Sequence, residues 1–407
     1  MSRQKGHGWV FRARFRRHAL GWRSQPAIKR IKEAISEIRT VARRDPVLAG
    51  EGAVLFLERL SPALERIDSS SGAIGTATCN AVEALVPILV QAPTDEERRD
   101  QWLDRLWEAF QDDGFGYIQT LADHWGELCV TPERASLWAD RLIDVVRLAW
   151  SPDPAFGGFF PGTIPCLSAL FKAGRYEEVL RLLEMAPYKM WHYRKWAVRA
   201  LAAQGRAEAA LRYAEVFRGP NDPDSSISRT CEAILLDMGR SEDAYDLYAH
   251  EANRRGTYLA TFRAIVRKYP ERSPAEILSD LVSDTPGQEG KWFAAARSFG
   301  LYEEAIELAR RSPCDPKTLT RAARDEAESH PRFAVEAGLT ALAWLLQGYG
   351  YEIQPLDAVA AFDFTMAAAE NAGIKEETLM RVQTLLRGRN SVHASLLRVL
   401  EDAVSRR

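Results

Sequence analysis

The stretch KAGRYEEVLRLLE, residues 172–184, decides the fold. A glycine ends a helix in the left-handed conformation at low cost, because it carries no Cβ. Three residues after Gly174, Glu177 falls in the first turn of the next helix, where a negative charge suits the exposed amide dipoles. Five residues after it, Val179 is small enough for two helices to approach closely. The apolar residues then recur at helical spacing. The same arrangement returns as AQGRAEAALRYAE (203–215), DMGRSEDAYDLYA (237–249) and SFGLYEEAIELAR (298–310). Aligned on Gly174, Gly205, Gly239 and Gly300, the acids Glu177, Glu208, Glu242 and Glu303 coincide, as do Val179, Ala210, Ala244 and Ala305. The glycines stand 31, 34 and 61 residues apart. The last interval is nearly two units, so a degenerate unit is predicted over TYLATFRAIVRKYPERSPAEILSDLVSD, with Pro270 and Pro274 in place of the glycine turn.

A helix–turn–helix unit of about 34 residues in series is the pattern of tetratricopeptide stacks. GRYEEVLRLLE and GLYEEAIELAR resemble the inter-helix turn and second helix of that family, with Tyr176 and Tyr302 as the aromatic residue and Val179 and Ala305 as the small one. The resemblance covers residues 165–312. It departs from the family seven residues before each glycine, where Leu167, Val198, Glu232 and Phe293 stand instead of glycine or alanine. The family's peptide-clamp residues are therefore not carried over. The resemblance implies a right-handed α-solenoid whose concave face binds other proteins, with no cofactor. The whole chain also resembles uncharacterised bacterial helical-repeat proteins, which implies no activity.

Helical period extends outward from the repeats. It links Ala53, Leu57, Leu60, Leu64 and Ile67, then Trp102, Leu106 and Phe110, then Trp138, Leu142, Val145 and Ala149. Short breakers separate these runs, and no alternating strand pattern is present. SPDPAFGGFFPGTIP (151–165) holds four prolines and three glycines and reads as a linker, pinned to the fold by Phe156, Phe159 and Phe160. The expected fold is all-α: an α-solenoid of helical hairpins, tetratricopeptide-like, with an N-terminal helical domain and C-terminal capping helices. Its expected parts are a basic aromatic arm (1–24), the N-terminal helical domain (25–150), the linker (151–165), the repeats (166–314) and the cap (315–407), whose last helix starts on a serine.

Charge is unevenly spread. Residues 1–44 hold thirteen Lys or Arg against two acids, +11, which leaves −13 for the remainder of a 407-residue chain of net charge −2. The five cysteines, at 79, 129, 166, 231 and 314, are odd in number and widely spaced, so neither a disulfide framework nor a zinc site is expected and a reducing cytoplasm is. ALVPILV and AGLTALAWLL fall short of the roughly 20 residues of a membrane span, so no membrane association is expected. No apolar segment follows the twin arginine at 16–17, which argues against a secretory signal. A mitochondrial-type targeting peptide stays open, since the first 32 residues contain no acid, although Gly6, Gly8 and Gly21 weaken a helix there.

Enzyme motifs are weak. TPGQEGKWF (285–293) lacks the glycine spacing and the Ser/Thr of a phosphate loop and reads as a helix-starting turn. SSSGAIGT (69–76) reads as a serine cap for the helix carrying Val82 and Leu85. His124 and Glu127 form a lone H-x-x-E beside Trp125, without the second pair that a di-iron bundle needs. Catalysis needs convergent groups and none converge here, so no catalytic residue, metal or cofactor is assigned and the chain is expected not to be an enzyme.

Two stretches could bind a partner. In WVFRARFRRHALGWRS (9–24), an extended conformation places Trp9, Phe11, Ala13 and Phe15 on one face and Arg12, Arg14 and Arg16 on the other, with Arg17, Trp22 and Arg23 following. Guanidinium groups match phosphates and aromatics stack on bases, so nucleic acid is one partner. Equally, the arm lies on its own acidic body with Trp9, Phe11 and Phe15 buried. The second stretch is YKMWHYRKWAVR (188–199), where a helix aligns Lys189, His192, Lys195 and Arg199 as a cationic stripe in a repeat groove. Here too a plainer reading stands, with the tryptophans in the core and the cations solvated. The expected function is a non-enzymatic protein–protein interaction scaffold using the repeat groove, with nucleic-acid binding through the arm and a basic helix stripe as the alternative. Neither pattern sets an oligomeric state.

Overall fold

The four turn glycines adopt φ between 72° and 77°, each directly after the end of a helix. In a computed structural model that describes residues 7–153, 158–218, 224–387 and 394–406, the chain is helical, with no β-strand among the described residues. The all-α class holds. The chain divides into two units, Met1–Pro223 and Asp224–Arg407. The first contains α1 (Val10–Arg14), α2 (Ser24–Ala42), α3 (Pro46–Leu64), α4 (Ala73–Gln91), α5 (Glu96–Gln111), α6 (Trp125–Leu128), α7 (Pro132–Ala149), α8 (Thr163–Lys172), α9 (Tyr176–Glu184), α10 (Trp191–Ala203) and α11 (Ala207–Val216). The second contains α12 (Asp224–Asp237), α13 (Ser241–Ala252), α14 (Tyr258–Lys268), α15 (Pro274–Ser283), α16 (Phe293–Ser298), α17 (Tyr302–Arg311), α18 (Pro316–Asp325), α19 (Pro331–Leu346), α20 (Pro355–Asn371), α21 (Lys375–Arg387) and α22 (Ala394–Ser405).

The repeated sequence makes a repeated hairpin. At Gly174 the glycine amide donates to Phe171 O at 3.1 Å and the Arg175 amide to Leu170 O at 3.0 Å, so two orphan carbonyls of α8 are satisfied before α9 begins. The same pair of bonds closes α10, α12 and α16 at Gly205, Gly239 and Gly300. Val179, Ala210, Ala244 and Ala305 are all fully buried where the second helix of each hairpin meets the first. Gly373 adds another such turn, between α20 and α21, with Glu376 and the buried Thr378 at the matching positions. In the degenerate unit, α14 and α15 turn without glycine. Ser273 accepts from the Glu276 amide at 3.2 Å while the Glu276 carboxylate accepts from the Ser273 amide at 2.9 Å, a reciprocal cap.

In the first unit α3 packs against α2, α4 and α5. Its glycines permit close approach: a Cβ on Gly50 would lie 2.3 Å from Trp102, and one on Gly52 2.2 Å from Trp9. Arg99, buried at the start of α5, donates to Leu89 O at 2.6 Å and Ala92 O at 2.9 Å, which satisfies the C-terminal carbonyls of α4. α4 is the one helix among the described residues long and apolar enough to cross a membrane by length and composition. Its Ile74, Val82, Leu85 and Leu89 are buried in the core of the unit. The N-cap residue of α4 is Gly72 at φ 68°, and the Ser71 hydroxyl beside it accepts the Ala73 amide at 3.4 Å.

The stretch read as a linker, 151–165, lies inside the first unit, and α8 starts within it, at Thr163. Phe160 packs on the core beside Gly162, whereas Phe159 is exposed and pins nothing. Phe156, the serine expected to cap the last helix (Ser391), and residues 1–6 of the arm lie outside the described residues.

In the second unit the residue that departs most from the repeat pattern is a buried charge. Glu232 on α12 is fully enclosed and accepts from Asn253 Nδ2 at 2.7 Å, Tyr269 Oη at 2.7 Å and Lys268 Nζ at 2.6 Å. A buried carboxylate survives only when paired and hydrogen-bonded, and these donors come from beyond the ends of α13 and α14 and from α14 itself. Glu232→Ala removes the acceptor from three donors at once. It is expected to destabilise the unit Asp224–Arg407 by about 3–5 kcal/mol, read as a lower urea midpoint, while a Glu232→Gln variant retains part of that loss.

Candidate functional site

The arm is helical, which corrects the extended reading. Val10–Arg14 form one short helix, so Phe11 and Phe15 fall on the same side four residues apart and Ala13 is exposed. Trp9, Phe11 and Phe15 are all buried. Phe11 and Phe15 meet Phe56 of α3 edge-on, at 5.5 and 5.0 Å between ring centroids. The start of α1 is tied to α2: Glu37 accepts the Val10 amide at 2.8 Å and the Phe11 amide at 3.2 Å. Arg14 reaches Glu33 at 2.6 Å, and Arg17 reaches both oxygens of Glu65, at 3.1 and 3.3 Å. Three aromatics and two arginines of the arm are thus engaged with the chain's own body. Stacking on bases through Trp9, Phe11 or Phe15 is closed off in this conformation.

The remaining cations face outward. Arg12, Arg16 and Arg23 are exposed, and their side chains have no ion-pair or hydrogen-bond partner among the described residues. On α2 and at its C-cap, Lys29, Lys32, Arg39 and the C-cap residue Arg43 are likewise exposed and unpaired among the described residues. At 100° per residue these four lie within about 80° of arc, on the side away from the buried Ala27, Ile31, Ala34 and Ile38, and span about 21 Å. The only acids of α2 are Glu33 and Glu37, the two that hold the arm. The row falls outside the sites read from the sequence, although its helical spacing is visible there.

On α10 the expected stripe is broken. The helix starts at Trp191, so Lys189 precedes it and cannot extend the row. His192 is exposed. Lys195 donates to Asp123 Oδ1 at 2.6 Å, so its charge is compensated within the unit. Arg199 lies between two rings, 4.6 Å from the centroids of both Phe171 and Trp196, and makes no ion pair or hydrogen bond among the described residues. Burial lowers its pKa, opposed by the nearby Glu127 and Asp123. Trp191, Tyr193 and Trp196 are buried in the core.

Beside this face, His124 at the end of a 3₁₀ turn hydrogen-bonds Glu127 Oε2 at 3.2 Å and Glu83 Oε1 at 3.3 Å. The bond to Glu127 raises the His124 pKa against the opposing effect of burial, and the same bond lowers that of Glu127. Burial, then Lys195, pushes His192 the other way. No group of three or more His, Cys, Asp or Glu is placed to hold a metal ion among the described residues. Burial lifts the thiols of Cys129, Cys166 and Cys314 to about 12, which leaves them protonated and unreactive near neutral pH. TPGQEGKWF forms a turn and a 3₁₀ segment leading into α16, with Trp292 Nε1 donating to Thr285 Oγ1 at 2.8 Å. Compared with protein-family models and with curated proteins, the chain matches none.

Gly52→Ala forces Trp9 out of its seat. An overpacked site of this kind is expected to lower stability by about 1–3 kcal/mol, with a red shift in tryptophan emission that shows the arm lifting off α3. A second outcome concerns pH. His124, with its pKa raised, stabilises the fold fully below its ordinary value near 6.5 and loses this contribution as pH rises through the elevated value. Glu127, with its pKa lowered, contributes above its ordinary value and loses it as pH falls through the depressed one. Both contributions are complete between about pH 4.5 and 6.5. His192 titrates in the opposite sense, so the comparison belongs in a His192→Gln background. There, the stability advantage of His124 over His124→Gln, measured by thermal melting, is expected to shrink as pH rises above about 6.5.

Proposed function

We propose that the chain is a non-enzymatic interaction scaffold, an α-solenoid of tetratricopeptide-like hairpins, that holds a macromolecular partner of negative charge on the α1–α2 face. The observation that carries this reading is the outward row of cations on α2, whose own acids are occupied by the arm. A desolvated or internally paired cation has little left for a partner, whereas an exposed unpaired one attracts at long range. This distinguishes the α2 face from the α10 groove, where Lys195 is held by Asp123. A protein docked in that groove is the weaker form of the proposal. The recurrence of one turn and one small buried residue supports a chain that repeats a packing unit rather than assembling a reacting centre. Five cysteines, none of them in a disulfide and four of them buried, support a reducing cytoplasm as its compartment.

The test is retention of the full chain on immobilised heparin, a generic polyanion. The wild-type protein is expected to be retained at about 50 mM salt and released as salt rises, and the Lys29→Glu, Lys32→Glu, Arg39→Glu, Arg43→Glu variant to flow through with unchanged helicity. Flow-through of the wild-type protein, or equal retention of the variant, refutes the choice of surface.

A further inference from the structure

We infer that the α2 face binds single-stranded nucleic acid through its phosphate backbone, with Trp22 as a stacking platform for one base. This rests on the proposed use of that face and names the class of its partner.

The composition of the surface selects the partner. A protein interface needs an apolar centre inside a polar rim, and a membrane-bound helix needs a band of large apolar side chains to insert. The α2 face has neither. Up to residue 45, Val10 and Trp22 are the large apolar side chains left exposed among the described residues. What the face presents is charge: Lys29, Lys32, Arg39 and Arg43 along about 21 Å of helix, with Arg23 at its N-cap and Arg12 and Arg16 on the adjoining arm. A row of cations without apolar company matches a chain of phosphates, which offers charge at regular intervals and little else to grip.

Trp22 separates a single strand from a duplex. It is 70% exposed, although burying an indole ordinarily stabilises a fold, and it stands just before the start of α2. Its backbone is fixed, since its carbonyl accepts the Asp68 amide at 3.0 Å. The exposed ring thus hangs from a tethered backbone position, next in sequence to Arg23 and seven residues before Lys29, the first cation of the row. A duplex keeps its bases stacked on one another, whereas a single strand offers an open base face to an indole beside the phosphates. Contacts from the four cations to phosphates carry no base information, so binding is independent of sequence.

The measurement is fluorescence anisotropy of the full-length protein with a labelled oligonucleotide of mixed sequence, against a duplex of equal length, a poly-glutamate peptide and anionic lipid vesicles. The single strand is expected to bind best. With four phosphates engaged, log K should fall against log salt with a slope of about −3. Trp22→Ala is expected to weaken the single-strand complex between about fivefold and a hundredfold while leaving heparin retention unchanged. The neutral variant Lys29→Gln, Lys32→Gln, Arg39→Gln, Arg43→Gln should lose binding without the repulsion that glutamates add. Heparin retention without oligonucleotide binding overturns the inference and leaves the scaffold reading standing. Tighter binding of poly-glutamate or vesicles, or a Trp22→Ala variant of full affinity, also overturns it. Loss of heparin retention itself removes both.

Discussion

In five of the helix–helix connections a three-residue turn reverses the chain by placing a glycine in a backbone conformation that a Cβ resists. Those five hairpins depend on that constraint. At Gly174, Gly205, Gly239, Gly300 and Gly373 the positive φ lets two amides turn back onto the last carbonyls of the preceding helix. Each helix end is thereby closed without a side chain. The side chains around the turn are left to pack, and the small residue five positions on is buried each time. The bond pattern is the same whether the second helix carries leucines, as in α9, or alanines, as in α11.

Electrostatics follow from how the helices are assembled. The first 44 residues are strongly basic, but their charge is sorted by the fold. Glu33, Glu37 and Glu65 hold the arm, and every acid engaged there is one fewer to compensate an outward cation. The α10 face is sorted in the opposite sense, with Asp123 brought across 72 residues of sequence to meet Lys195. Two stretches that look alike in composition therefore end with different surfaces. Distant partners decide which basic segment stays electropositive.

Much of the architecture was legible because helical spacing and glycine turns are local signals. The turns at 174, 205, 239 and 300 are where the alignment puts them. Gly373 escaped because Thr378, a polar residue, occupies the small position. The arm reads as extended because the four apolar side chains at 9, 11, 13 and 15 satisfy a period of two, while 11 and 15 alone satisfy a helix. Only the burial of Phe11 and Phe15 on Phe56 distinguishes the two. Lys189 was placed on α10 because nothing in its own neighbourhood marks Trp191 as the first helical residue. Glu232 was seen only as a departure from the repeat, since the donors that make it tolerable come from residues 253, 268 and 269. The row on α2 was open to a helical wheel, but that its acids are occupied by the arm was not.

The seat of Trp9 on Gly52 has a consequence in time. During synthesis the arm leaves the ribosome before the surface that receives it exists. Its three aromatic rings must wait for α2 and for α3 as far as Phe56, roughly forty residues later, which at 5–20 residues per second is about 2–8 s of translation. In that interval the nascent chain carries an unsheltered pair of phenylalanines and a tryptophan among arginines. Closing α3 over them is then the step that commits the amino-terminal segment to its mature position.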